Sequence, residues 1–184
     1  IYNGNILYPQ TIWGGNGHGY LEAEFQFYTY IVSKLYNWFG EQVVFGRLIS
    51  LLFTVVAFVI LYDWVRSLVG SRPAFIALAF LAISPLSIRY SVAFMPEATT
   101  FMFYVASLYL FDKWLKHQSL PLLLLTAVST AFVILVKPTS IHIGLIFLIL
   151  LLKQEGLKVF RRKELWAFAV ISLLPGILWF LHAR

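Results

Sequence analysis

The stretch SLPLLLLTAVSTAFVILVKPTSIHIGLIFLILLL, Ser119 to Leu152, decides how this chain is built. Its 34 residues carry one formal charge, Lys137, placed directly before Pro138. A straight helix of that length would measure about 51 Å at a rise of 1.5 Å per residue. A hydrocarbon core is only about 30 Å thick. Proline removes a helical hydrogen bond and clashes with the preceding turn. The run therefore predicts two short spans broken at Lys137-Pro138, with the lysine at a membrane surface.

Composition points the same way. Of 184 residues, 60% are hydrophobic and 12% are charged, and the mean hydropathy is +0.81. Soluble domains carry roughly 25% charged residues, so this chain has too few to cover a surface facing water. The expected class is an all-α polytopic transmembrane bundle. A net charge of +6 fits membrane loops in such a protein and calls for no nucleic-acid partner. The absence of cysteine excludes disulfides and thiolate metal sites. The chain begins at Ile1 and ends at Arg184 on the edge of an apolar segment, which suggests a fragment lacking helices at both ends.

Outward from the break, the other segments fall into order. Residues 1–42 form an expected extracytoplasmic unit, a loop followed by an interfacial helix, and residues 43–184 form the bundle. The loop holds Asn3-Gly4, Pro9 and the cluster Gly14-Gly15-Asn16-Gly17-His18-Gly19, all turn chemistry. The aromatic run Phe25 to Phe39 contains Lys34 and ends at Gly40, which suits a helix lying at the interface. Expected spans are Val43–Val65, Ala74–Arg89 (loosened at Ser84-Pro85), Glu97–Trp114, the two halves of Ser119–Leu152, and Leu165–Leu181. That makes about six.

Cations then set the sidedness. With the N-terminal loop outside, the inner segments hold nine of the 14 lysines and arginines, in 66–72, 113–116 and 153–163. Five remain outside: Lys34, Arg47, Arg89, Lys137 and Arg184. An unbroken helix over 119–152 would reverse the basic 153–163 loop and weaken this bias. The loop is thus expected to face outward, placing Glu22, Glu24, Glu41, Arg47, Arg89, Glu97 and Lys137 at one face. Charges there usually line a cavity or pair with one another.

Each candidate has a plainer reading beside its functional one. Glu22 and Glu24 can serve as a general base or bind a divalent cation, or be solvated acids before a helix start. His18 and Tyr20 in the glycine-rich loop are candidate substrate contacts, but His18 has no metal-ligand spacing around it. The glycines do not form a nucleotide P-loop, because no GxxxxGK[ST] is present. Glu97, after Met95-Pro96, is either a helix-start carboxylate or a cavity acid, with Arg89 as a candidate partner. Lys137 either snorkels to the surface or meets a lipid-linked phosphate.

In the order YPQTIWGGNGHGYLEAEFQFYTYIVSKLYNWFGEQVVFGRLISLLF (8–53), then Ser84-Pro85, Tyr90-Ser91, Met95-Pro96-Glu97 and Val136-Lys137-Pro138, the chain resembles the GT-C superfamily of membrane glycosyltransferases. The likeness is to the branch of protein O-mannosyltransferases and aminoarabinose transferases. Glu24-Phe25-Gln26-Phe27-Tyr28, Phe39-Gly40 and Arg47-Leu48-Ile49-Ser50 stand where that family has its landmarks, with Gln26 in place of the commoner proline. The resemblance implies transfer of a sugar from a polyprenyl-phosphate donor to an acceptor hydroxyl, at the outer face of a multi-pass protein of the cell membrane, here a bacterial inner membrane. It implies an acidic base with a divalent metal nearby, for which Glu24 is a candidate ligand. It places the principal aspartate upstream of Ile1, Glu22 and Glu24 at a second acidic position, and Arg89, Glu97 and Lys137 around the donor, with Lys137 or Arg89 on its phosphate. The rival readings are a flippase or transporter, for which no internal repeat is visible, and a non-catalytic assembly subunit. The acceptor is left open.

Overall fold

The computed structural model describes residues 6–7, the backbone of 10–11 and 19–20, and 24–182. A two-residue β-ladder, β1 (Gln10–Thr11) against β2 (Gly19–Tyr20), pairs antiparallel with Gln10 opposite Tyr20. All other regular structure among the described residues is helical. The helices are α1 (Phe27–Phe39), α2 (Val43–Val69), α3 (Ser71–Ile83), α4 (Pro85–Ser91), α5 (Glu97–His117), α6 (Leu120–Val136), α7 (Ile143–Glu155) and α8 (Lys163–His182). Short 3-10 turns at Pro138–His142 and Gly156–Arg161 flank α7.

Helix α2 is inside out relative to a soluble one. The buried residues of α2 are Gly46, Ser50, Thr54 and Ala57, one stripe of small side chains at helical spacing. Its large apolar residues, including Leu48, Leu52 and Val59, are exposed. Lipid tails are as apolar as leucine, so close backbone approach and hydrogen bonding hold such helices together. Buried hydroxyls bond back within their own helices: Thr54 donates to the Ser50 carbonyl at 2.9 Å, Thr126 to Leu122 at 2.7 Å and Thr130 to Thr126 at 2.8 Å.

Prolines set where the chain turns. The residue before a proline is pushed away from helical geometry. Ser84 accordingly has ψ 131°, and α3 and α4 meet at 70°. Lys137 has φ −144° and ψ 96°, ending α6 one residue before Pro138. The expected break at Lys137-Pro138 is therefore present. Gly70, at φ 93°, alone separates α2 from α3, a conformation open to glycine.

Side-chain pairs fix each helix's direction. Along α2 and α5 the matched pairs are Phe58 with Phe101 and Asp63 with Tyr109, so these two run the same way. Helix α6 returns, stacking Phe132 on Phe103 at 4.8 Å and packing Leu123 in one cluster with Trp114. Helix α7 turns again, with His142 against Tyr104 and Phe147 stacked on Phe111 at 4.1 Å. Helix α8 then follows α6, the Ser172 hydroxyl reaching the Ala127 carbonyl at 3.4 Å. One end of the bundle thus gathers Gly46, Glu97 and Lys137, and the other gathers Asp63, Trp114 and the 156–162 turn.

Length alters the expected count of six spans. Among the described residues, α2 and α8 are by length and composition the helices long and apolar enough to cross a membrane, with α3 and α4 a third if their bent halves are one span. Helices α6 and α7 have 17 and 13 residues, about 26 and 20 Å. Helix α5 carries Glu97, Asp112, Lys113 and Lys116, which lowers its hydropathy. The reversals expected from the sequence occur, with α6 and α7 the short elements on either side of the break.

Helix α1 is anchored at its start. Phe27 sits edge-on to Phe103 and Phe132, while Trp38 and Phe39 at the far end are exposed. Tyr28, buried at 2% exposure, donates to the Gly46 carbonyl at 2.8 Å. The Ser50 oxygen lies 2.6 Å from the Ala93 carbonyl and 3.0 Å from the Tyr28 oxygen. Its single proton goes to the shorter contact. Burial pushes the Tyr28 phenol above its ordinary pKa. A Cβ on Gly46 would fall inside the Phe94 ring, which packs edge-on to Tyr28. Gly46→Ala should therefore destabilise the protein by about 1–3 kcal/mol, seen as a lower thermal midpoint in detergent, whereas Gly144→Ala, where a Cβ meets nothing, should leave it unchanged.

Candidate functional site

The break after α6 and the start of α5 bring opposite charges together. Lys137 Nζ lies 3.5 Å from Glu97 Oε1. Neither residue is buried outright: their side chains are 40% and 29% exposed. Glu97 is the first residue of α5, with Pro96 as the cap before it, and the positive end of the helix dipole favours a carboxylate there. Its second oxygen, Oε2, is enclosed and has no hydrogen-bond partner, as is Thr99 Oγ1. A buried acceptor without a partner is costly, so the Glu97 carboxylate is only half-satisfied.

Glu97 also lines a groove of about 270 Å³ between α2, α4 and α5, together with Thr54, Ser87, Tyr90, Ser91 and Phe101. Its walls are apolar, and hydroxyls and the carboxylate supply the polar contacts. Such a mixture suits a ligand with a polar head and an apolar body.

Glu24 lies close to this end through the backbone beside it. The Phe25 N–H donates to the Leu135 carbonyl at 3.2 Å, in the last turn of α6 and two residues before Lys137. The Phe25 ring meets Trp179 edge-on at 5.1 Å. Glu24 itself is half-buried, and its carbonyl accepts from Gln26 Nε2 at 3.1 Å. Glu22 and His18 lie outside the described residues, and of Tyr20 only the backbone, in β2, is described. Arg89 is exposed in the last turn of α4. The described partner of Glu97 is Lys137, at the end of the neighbouring helix α6, rather than Arg89.

One polar pair was not anticipated. His142 Nδ1 is 2.8 Å from the Thr139 carbonyl, which can only accept, so in the neutral ring Nδ1 carries the hydrogen. Nε2 then accepts from Tyr104 Oη at 3.0 Å. This pair pins the 3-10 turn that follows Lys137 onto α5. A histidine one turn beyond a lysine-proline break was the available signal, but the contact with Tyr104 spans 38 positions. Among the described residues no three histidine or acidic side chains are grouped to hold a metal ion, and Glu22 and His18, the sequence neighbours of the candidate ligand Glu24, lie outside them.

A membrane helix bundle with a charge pair at a helix break, bordering a groove of mixed polarity, defines the class. Residues 26–180 match the family of dolichyl-phosphate-mannose–protein mannosyltransferases, so the chain belongs to that family, within the GT-C type of membrane glycosyltransferase. The matched span includes Arg89, Glu97 and Lys137 and begins after Glu24. No curated protein and no solved structure matches the chain.

At 3.5 Å and with both groups partly in solvent, the ion pair contributes little to stability. A double-mutant cycle of Lys137→Met and Glu97→Gln should give a coupling energy below about 1 kcal/mol in thermal unfolding. A coupling of several kcal/mol would make the pair a structural clasp.

Proposed function

We propose that the protein moves a sugar from a polyprenyl-phosphate donor to an acceptor hydroxyl, at the bundle end that carries Glu24, Glu97 and Lys137, and that this end faces the extracytoplasmic side of a cell membrane, in bacteria the inner one. The observation that carries the reading is the Lys137–Glu97 pair in a chain of this family. A long, half-exposed contact leaves the ammonium ready to exchange its carboxylate for a phosphate.

In this mechanism the Glu24 carboxylate takes the proton of the acceptor hydroxyl. The freed oxygen attacks the anomeric carbon, the bond to the phosphate oxygen breaks, and polyprenyl phosphate leaves with the bonding electrons. Its charge is met by Lys137, aimed from a fixed helix end where it costs no reorganisation. Arg89, exposed on the same rim, is a second cation for the phosphate. The Glu97 carboxylate, released when Lys137 turns to the phosphate, is a candidate acceptor for a donor-sugar hydroxyl, and His18, Tyr20 and Glu22 are candidate contacts from the loop.

Release of free polyprenyl phosphate from a panel of lipid-linked sugars tests this. Lys137→Ala should lower turnover by about 100-fold or more with an unchanged thermal midpoint, and unchanged turnover would remove Lys137 from the phosphate site. Glu24→Gln should lower it comparably. Loss of activity on chelation, restored by added magnesium, would turn Glu24 from base to metal ligand.

A further inference from the structure

The opposite end of the bundle carries a different arrangement of charge. The segment 153–166 contains five cations, Lys153, Lys158, Arg161, Arg162 and Lys163, and two acids, Glu155 and Glu164. Both acids are taken by one cation: Arg162 reaches Glu155 at 2.6 Å and Glu164 at 3.6 Å. Arg162 also donates to Gln118 Oε1 at 2.9 Å and lies over the Trp114 ring at 5.3 Å. It clasps the segment to the α5–α6 connection. Lys153, Lys158, Arg161 and Lys163 are all exposed, and no described acid pairs with them.

Large apolar groups stand between these cations. Leu157 is 79% exposed, Phe160 50% and Trp166 60%, while Val159 and Leu165 are turned into the core. The Trp166 indole donates to the Phe160 carbonyl at 3.0 Å, which holds its ring beside the turn. Helix α8, long and apolar enough to cross a membrane, begins at Lys163. The segment therefore sits at the end of a span, at headgroup depth.

We infer that this turn is a docking surface for anionic phospholipid. Lys153, Lys158, Arg161 and Lys163 meet headgroup phosphates, and Leu157, Phe160 and Trp166 enter the acyl boundary. Cations beside a span are drawn to an anionic leaflet, and apolar side chains interleaved with them favour the interface over water. A nucleic acid or an acidic protein would satisfy the cations and leave those apolar groups in water. Arg162 meets both acids, so four unpaired cations dominate the exposed face, with Glu164 the one exposed acid beside them.

Brominated lipids test the assignment, because bromine quenches nearby tryptophan. The protein is placed in phosphatidylcholine nanodiscs containing brominated phosphatidylglycerol or, at equal fraction, brominated phosphatidylcholine. Trp166→Phe isolates the signal of Trp166. Trp166 should be quenched at least about twofold more by the anionic lipid. The excess should vanish with Lys158→Gln, Arg161→Gln and Lys163→Gln combined, which leave the Arg162 clasp intact, and should fall with added salt. Equal quenching by both lipids in the wild type, or an excess indifferent to salt, would overturn the proposal even if the triple variant failed to fold.

Discussion

Pro138 is the constraint on which the second half of the bundle depends. It forces Lys137 into extended geometry by the clash of its ring with the residue before it. Helix α6 must stop at Val136, and the 3-10 turn Pro138–His142 sends the chain back as α7. Without that reversal the basic 153–163 segment would lie at the same end as Glu97. With it, Lys137 projects from a helix end towards the first residue of α5. One backbone restriction thus separates the cations of the two ends and creates the charge pair.

The packing that holds this arrangement follows from a lipid surround. Burial goes to Gly46, Ser50, Thr54 and Ala57 on α2 and to Thr126, Ala127, Thr130 and Ala131 on α6. The large apolar residues Leu48, Leu52 and Val59 of α2 remain outside, while α5, α6 and α7 bury Phe111, Trp114, Leu123 and Phe147 against one another. Tyr28 crosses from α1 to a backbone carbonyl that glycine leaves accessible, and the adjoining Phe94 ring occupies the place of a side chain at 46. On α2 the amphipathic logic of a soluble helix is inverted, with small and hydroxylated residues forming the contact surface.

The candidate site was legible in part. Lys137 stood out because one charge in a long apolar run must be solvated or paired, and Glu97 because a carboxylate follows a proline at a helix start. That these two meet was not legible, since 40 positions separate them, and the nearer Arg89 was the candidate partner for Glu97. The Tyr104–His142 contact escaped for the same reason. Glu24 is tied to the site by a backbone bond from its neighbour to Leu135, which leaves no trace in side-chain pattern.

By itself the sequence determined an all-α membrane bundle, because composition and unbroken apolar runs fix which solvent the helices face. It also placed the break at Lys137-Pro138, because proline acts on its immediate neighbours whatever the surroundings. Only the tertiary structure decided where α6 and α7 begin and end, that Glu97 pairs with Lys137, and that Arg162 takes both acids of its turn. Helix limits depend on where packed neighbours satisfy the ends, and ion pairs depend on which ends the reversals bring together. Local rules therefore carry the fold class, and the meeting of distant residues carries the site.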